Sequence, residues 1–242
     1  KRYDEIAASV DASAELLTSS AVANLSAVDD DASIFDKSIF QMCFNLRLLS
    51  IKNYEIKYLR PNKLARLSKL EILTLTNNRL KRIHEAAFVG LENSLVELNL
   101  DSNHLEWIPT RPLEKLKRLR RLSLSQNRIR HLHANAFFRM SSLSILDLSY
   151  NYLSRFDENA FSGPIQSTLR SLQLQNNELK WIHFVHLLFN LRALQELNID
   201  FNKLSSPTAY TKLTLQNQLS DDFNQLSRQK FILQDVERSW NG

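Results

Sequence analysis

Glycine is nearly absent: Gly90, Gly163 and Gly242 are the only three among 242 residues. Phosphate-cradling loops and nucleophile elbows need glycine for their tight backbone geometry, so neither is available in standard form. Cysteine is rarer still. Cys43 stands alone, which excludes a disulfide framework and any multi-cysteine metal site. Apolar runs fall far short of the roughly 20 residues that a membrane helix needs. No charged, then apolar, then small-residue leader opens the chain. The chain therefore reads as soluble, with no direct membrane insertion, and as a mature protein or a piece of a larger one.

Charge is present but unevenly placed. The net value is +5. Residues 1–45 hold eight acids against Lys1, Arg2 and Lys37, whereas residues 57–130 hold sixteen Lys or Arg against seven acids. The chain is acidic at its start and basic through the first half of its middle.

The dominant feature is a repeat. In "LSILDLSYNYLSRF", Leu143 to Phe156, apolar residues stand at places 1, 4, 6 and 11 and Asn at place 9. Six copies are clear, and their Asn residues are Asn78, Asn103, Asn127, Asn151, Asn177 and Asn202, stepping by 24 to 26 residues. Two weaker copies precede them: Leu46, Leu49, Ile51, Tyr54, Ile56, and Val22, Leu25, Ala27, Asp30, Ala32. Phe35, Phe40 and Cys43 then fall where Ile83, Phe88 and Leu91 fall later, which makes Cys43 a core thiol.

Such units cannot bury an apolar face alone, so they stack. Leucines at places 1, 4 and 6 point inward from a short strand, and neighbouring strands pair in parallel. Asn carries a donor and an acceptor on a short stem. A ladder of them satisfies the backbone where each coil turns. Later apolar places (Ile83, Phe88; Ile108, Leu113; Leu132, Phe137; Phe156, Phe161; Ile182, Leu187) fill the convex side. The expected fold is an α/β solenoid. Its parallel β-sheet lines the concave face of a horseshoe, and its convex side is irregular or briefly helical.

On these residues the chain resembles the leucine-rich repeat family over roughly 22–204, in its typical class of about 24 residues per repeat. The phrases "GLENSLVELNL", "GPIQSTLRSLQL" and "LEWIPTRPLEKLKRLRRLSLSQN" resemble chaoptin and related arthropod and nematode extracellular proteins. That resemblance implies adhesion or matrix organisation at the cell surface or outside the cell. The cysteine-rich end caps that such ectodomains carry are missing, so the chain reads as an interior fragment or a divergent member. Residues 1–21 are an unclear segment or degenerate cap. Residues 205–242 are a degenerate repeat, cap or tail. Within them, Tyr210, Leu213, Leu215 and Gln218 form a poor copy, and "DDFNQLSRQKFILQ" is either an amphipathic helix closing the stack or an unstructured tail.

A partner would sit on the outward places of the strands. The central place reads Ser50, Thr74, Asn99, Ser123, Asp147, Gln173, Asn198, and the next reads Lys52, Thr76, Asp101, Ser125, Ser149, Gln175, Asp200. With Arg121 and the strand-end aromatics Tyr150 and Phe201, these suit a hydrogen-bonding surface for protein, homophilic or heterophilic. A basic flank of Arg79, Lys81, Arg82, Arg128 and Arg130 would attract acidic faces or sulfated glycans. Nucleic acid is not expected, because no recognition helix or base-stacking platform accompanies the charge. Asn24-Leu25-Ser26 is the one glycosylation triplet.

Chemistry finds little support. His84, His133 and His183 share a repeat place but skip alternate repeats, which puts them about 10 Å apart on strand spacing, too far for one ion. The pairs His131/His133 and His183/His186 have no carboxylate or thiolate at ligand spacing in sequence. No Ser or Cys sits in a nucleophile setting. The expectation is a non-enzyme without cofactor or metal. The rival readings are a fragment of a Toll-like receptor ectodomain and an intracellular interaction scaffold.

Overall fold

The computed structural model describes residues 22–26, 43–180, 190–203 and 230–232. Its organising element is a nine-stranded parallel sheet. Its strands are β1 (Val22–Ser26), β2 (Leu48–Lys52), β4 (Ile72–Thr74), β6 (Glu97–Asn99), β7 (Arg121–Ser123), β9 (Ile145–Asp147), β11 (Ser171–Gln173), β12 (Glu196–Asn198) and β13 (Lys230–Ile232), paired in that order. Two short strand pairs run along the flank: β3 (Tyr58–Leu59) with β5 (Arg82–Ile83), and β8 (His131–Leu132) with β10 (Arg155–Phe156). Two short helices are α1 (Thr110–Leu113) and α2 (Ile165–Thr168). No helix among them is long and apolar enough to cross a membrane.

In the six clear copies only places 3 to 5 of each repeat are strand. Their middle residues, Leu73, Leu98, Leu122, Leu146, Leu172 and Leu197, are in mutual register and buried. Places 1 and 6 are buried with them, so three leucines per coil leave water at about 1.5–3 kcal/mol each. The weak copy at Leu46 behaves like the strong ones: Leu46, Leu49, Ile51, Tyr54 and Ile56 are all core. The convex side is filled as expected by Phe88, Leu113, Phe137 and Phe161, although Ile83 is only partly buried. Phe137 stacks on Phe161 at 5.4 Å, and Phe156 meets Phe161 edge-on at 5.9 Å.

The Asn ladder forms as the spacing predicts. Each rung is buried or nearly so and reaches back one coil. Asn103 Oδ1 accepts the Leu80 N–H at 3.0 Å, and its Nδ2 donates to the carbonyls of Leu75 (2.9 Å) and Leu100 (3.0 Å). Asn151 does the same with Ile129, Leu124 and Leu148. Asn78 also bonds the weak coil before it, accepting from Tyr54 and Ile56.

Within the segment read as a degenerate repeat, cap or tail, Lys230–Ile232 is a strand rather than helix and pairs in parallel with β12. An open sheet edge leaves backbone groups unpaired, and an added strand satisfies them. The poor copy at Tyr210 to Gln218, residues 1–21, and the pair His183/His186 lie outside the described residues.

Candidate functional site

Strand pairing turns the central outward place into one continuous row. Ser50 lies beside Thr74, Thr74 beside Asn99, Asn99 beside Ser123, Ser123 beside Asp147, Asp147 beside Gln173 and Gln173 beside Asn198. Asn24 occupies the same register position beside Ser50. Arg121, exposed at the head of β7, pairs with Glu97 of β6 at 3.3 Å.

The second row is less available than the sequence implies. Ser125 and Ser149 are buried and bonded to each other, Oγ to Oγ at 2.9 Å, so they offer a partner little. A parallel ladder at 24-residue stagger brings these two hydroxyls face to face, and each satisfies the other. Asp101 also turns inward. Its Oδ1 accepts from Ser123 Oγ at 2.5 Å and from the Ser125 N–H at 2.8 Å. Burial pushes its carboxyl above the ordinary value, against the hydrogen bonds from Ser123 and Ser125, and Asp147 adds to the push. Of the concave-face residues expected from the sequence, Asn99, Arg121, Asp147, Gln173 and Tyr150 are at least partly exposed, whereas Ser123 is committed to Asp101.

Tyr150 shows a signal that residue type alone does not give. Every coil places the residue before its ladder Asn at positive φ: Asn77, Ser102, Gln126, Tyr150, Asn176 and Phe201 have φ of 52 to 56°. The N–H groups of the first five still bond the next coil, as Tyr150 N does to the Gln175 carbonyl at 2.9 Å. The left-handed region suits Gly or Asn and disfavours bulky side chains. Tyr150 and Phe201 occupy it as exposed residues, at 52% and 71%.

The basic flank assembles in part. Arg79, Lys81, Arg82, Arg128 and Arg130 are all exposed. Arg79, Lys81 and Arg128 surround His104, whose imidazole is pushed below its ordinary value by burial first and by these three cations next. Arg79 is ion-paired with Glu55, and Arg130 lies over the Tyr152 ring at 5.8 Å. Arg82 belongs to β5 on the side strand pair, and with Lys81 it lines a cleft that also holds Tyr58, His84 and Trp107.

The expectation that His131 and His133 lack a carboxylate is corrected. The next coil supplies Asp157, whose Oδ1 lies 3.1 Å from His131 Nε2. One ligand atom from each of His131, His133 and Asp157 lies within 4.8 Å of the others. A signal existed in the sequence: Asp157 is 24 residues after His133, one repeat on. Cys43 is buried as expected, and burial pushes its thiol up and away from reactivity.

Comparison with known proteins gives this architecture its relatives. The leucine rich repeat family model matches residues 44–105, 93–153 and 117–179, which together span more than half of the chain. Lumican of Gallus gallus is 32% identical over 167 residues, covering 68% of this chain and 40% of lumican. Toll-like receptor 7 of Drosophila melanogaster is 34% identical over 156 residues, covering 58% of this chain and 11% of the receptor. Epiphycan of Homo sapiens is 30% identical, covering 64% of this chain and 48% of epiphycan. The chain thus spans half or less of the length of these relatives. Among solved structures, the TLR13–ssRNA13 complex superposes with a TM-score of 0.66 at 30% identity, over 77% of this chain and 25% of that one. Mouse RP105/MD-1 superposes at 0.61 and 22% identity, over 80% of this chain and 32% of that one, and speaks to the fold alone. With its six-rung Asn ladder, its register-matched leucines and these matches, the chain belongs to the leucine-rich repeat family.

Proposed function

We propose that this chain is a non-catalytic protein-binding module that works outside the cell, in cell adhesion or matrix organisation. The observation that carries the reading is the continuous polar row from Thr74 to Asn198, flanked by Arg121 and the exposed Tyr150. Such a row is rich in hydrogen-bonding groups and poor in apolar area, which suits a protein face rather than an apolar ligand. An exposed aromatic at a strained turn is a natural anchor for an interface. The basic group around His104 offers a second contact, for sulfated glycans or an acidic protein face. In that compartment Asn24 is the glycan acceptor, which a mobility shift on deglycosylation would report.

The test displays the chain on non-adhesive cells and mixes them with unlabelled controls. Clustering of displaying cells with each other supports a homophilic module, and Arg121→Glu or Asp147→Lys should abolish it. Dispersed cells that also capture no matrix protein sink the adhesion reading.

A second reading is a fragment of a Toll-like receptor ectodomain. The 34% identity to Toll-like receptor 7 of Drosophila melanogaster favours it. A membrane span and signalling domain encoded downstream would support this reading, and an open reading frame without them would remove it.

A further inference from the structure

We propose that His131, His133 and Asp157 form a binding site for a divalent transition ion of the Zn2+ class on the flank of the solenoid. Three features of the fold build it. Alternation along a strand puts residues 131 and 133 on one side while Leu132 points into the core between them. Pairing of β8 with β10 sets Arg155 beside His131 and Phe156 beside Leu132, so the next step sets Asp157 beside His133. The two rings lie 4.4 Å apart, centre to centre, and the three ligand atoms sit within 4.8 Å of one another.

The carboxylate is also oriented. Its Oδ2 accepts the Ala134 backbone N–H at 2.8 Å, leaving Oδ1 turned toward His131 at 3.1 Å. That separation is close to the roughly 3.3 Å between two ligands of one tetrahedral ion with bonds of about 2.0–2.1 Å. A backbone donor on the free oxygen is the outer support that metal-binding carboxylates use. The Ala134 hydrogen bond first, and His131 after it, hold the Asp157 carboxyl below its ordinary value. His133 is exposed, so the set leaves a coordination position open to solvent. Two imidazole nitrogens and one carboxylate select Zn2+, Ni2+ or Cu2+ over Ca2+ and Mg2+, which prefer all-oxygen shells.

The site lies off the polar row and stands or falls apart from the adhesion reading. Zn2+ titration followed by calorimetry tests it, with Co2+ visible absorption reporting nitrogen ligation. One equivalent should bind to the chain. His131→Ala, His133→Ala and Asp157→Asn should each weaken binding at least about tenfold. The double variant His183→Ala, His186→Ala should leave it unchanged. In the wild-type chain, Zn2+ should shield His131 and His133, but not His84, from diethyl pyrocarbonate. No shielding of these two, or binding that survives Asp157→Asn and goes with the His183/His186 pair, overturns the site.

Discussion

Asn127 reaches back across a coil boundary to Leu105: its Oδ1 accepts the Leu105 backbone N–H at 3.0 Å. Its Nδ2 donates to the carbonyl of Leu100 in the same earlier coil at 3.0 Å, and to Leu124 and Ser125 in its own. One buried side chain thus satisfies several backbone groups that water does not reach. Asn127→Leu keeps the branched shape and the number of heavy atoms and removes every partner. Stability should fall by about 1–3 kcal/mol, through unpaired buried polar groups. Urea unfolding with an unchanged midpoint would show that the ladder does not hold the coils.

Gly90 is a position where glycine is required. Its φ is +89°, and a Cβ built there would stand 2.2 Å from the Ala65 carbonyl oxygen of the previous coil. Gly90→Ala meets both the left-handed penalty and a clash with backbone. The loss should exceed roughly 2 kcal/mol, the upper end of the conformational term alone. A melt within a degree of wild type would contradict this close approach.

Tyr150 holds a left-handed conformation that Asn adopts at little cost. Tyr150→Asn should therefore stabilise the chain by about 1 kcal/mol. It should also weaken capture of a protein partner if the exposed ring is an anchor. Stability rising while adhesion persists would leave the ring as a feature of folding only.

His104 couples the basic flank to pH. Its imidazole is held below the ordinary value by burial and by Arg128, Lys81 and Arg79. The unfolded chain therefore binds its proton more readily than the folded one. The associated stability is present above about pH 6.5 and declines as pH falls through the range below it. A sulfated polysaccharide on this flank should offset the three cations and raise the His104 pKa, as read by an NMR titration of its ring proton. A pKa that stays put at saturating polysaccharide would exclude glycan binding at this flank.

Much of this molecule is legible in its residues. Leucine spacing fixes the strand places, because alternation allows only one set of residues to face inward. The Asn steps fix the coil length and hence the ladder. Even the weak copy ending at Tyr54 and Ile56 follows, since its apolar places match although its Asn is missing. The sites are less legible. Ser125 and Ser149 read as outward polar residues, yet the 24-residue stagger turns one hydroxyl onto the other. The left-handed turn at Tyr150 has no signature in a bulky residue, and shows only when its counterparts Asn77 and Asn176 are seen in the same conformation.

The sequence by itself determined the coil, its period and its buried faces, because these depend on residues close together along the chain. Tertiary structure decided which side chains from successive coils meet: Asp157 with His131, Arg79 and Arg128 about His104, and β13 against β12. The physical reason is stacking. Residues one coil apart are about 24 positions apart in sequence but lie side by side across strands spaced about 4.8 Å. Short-range forces between them depend on the register that the folded stack sets.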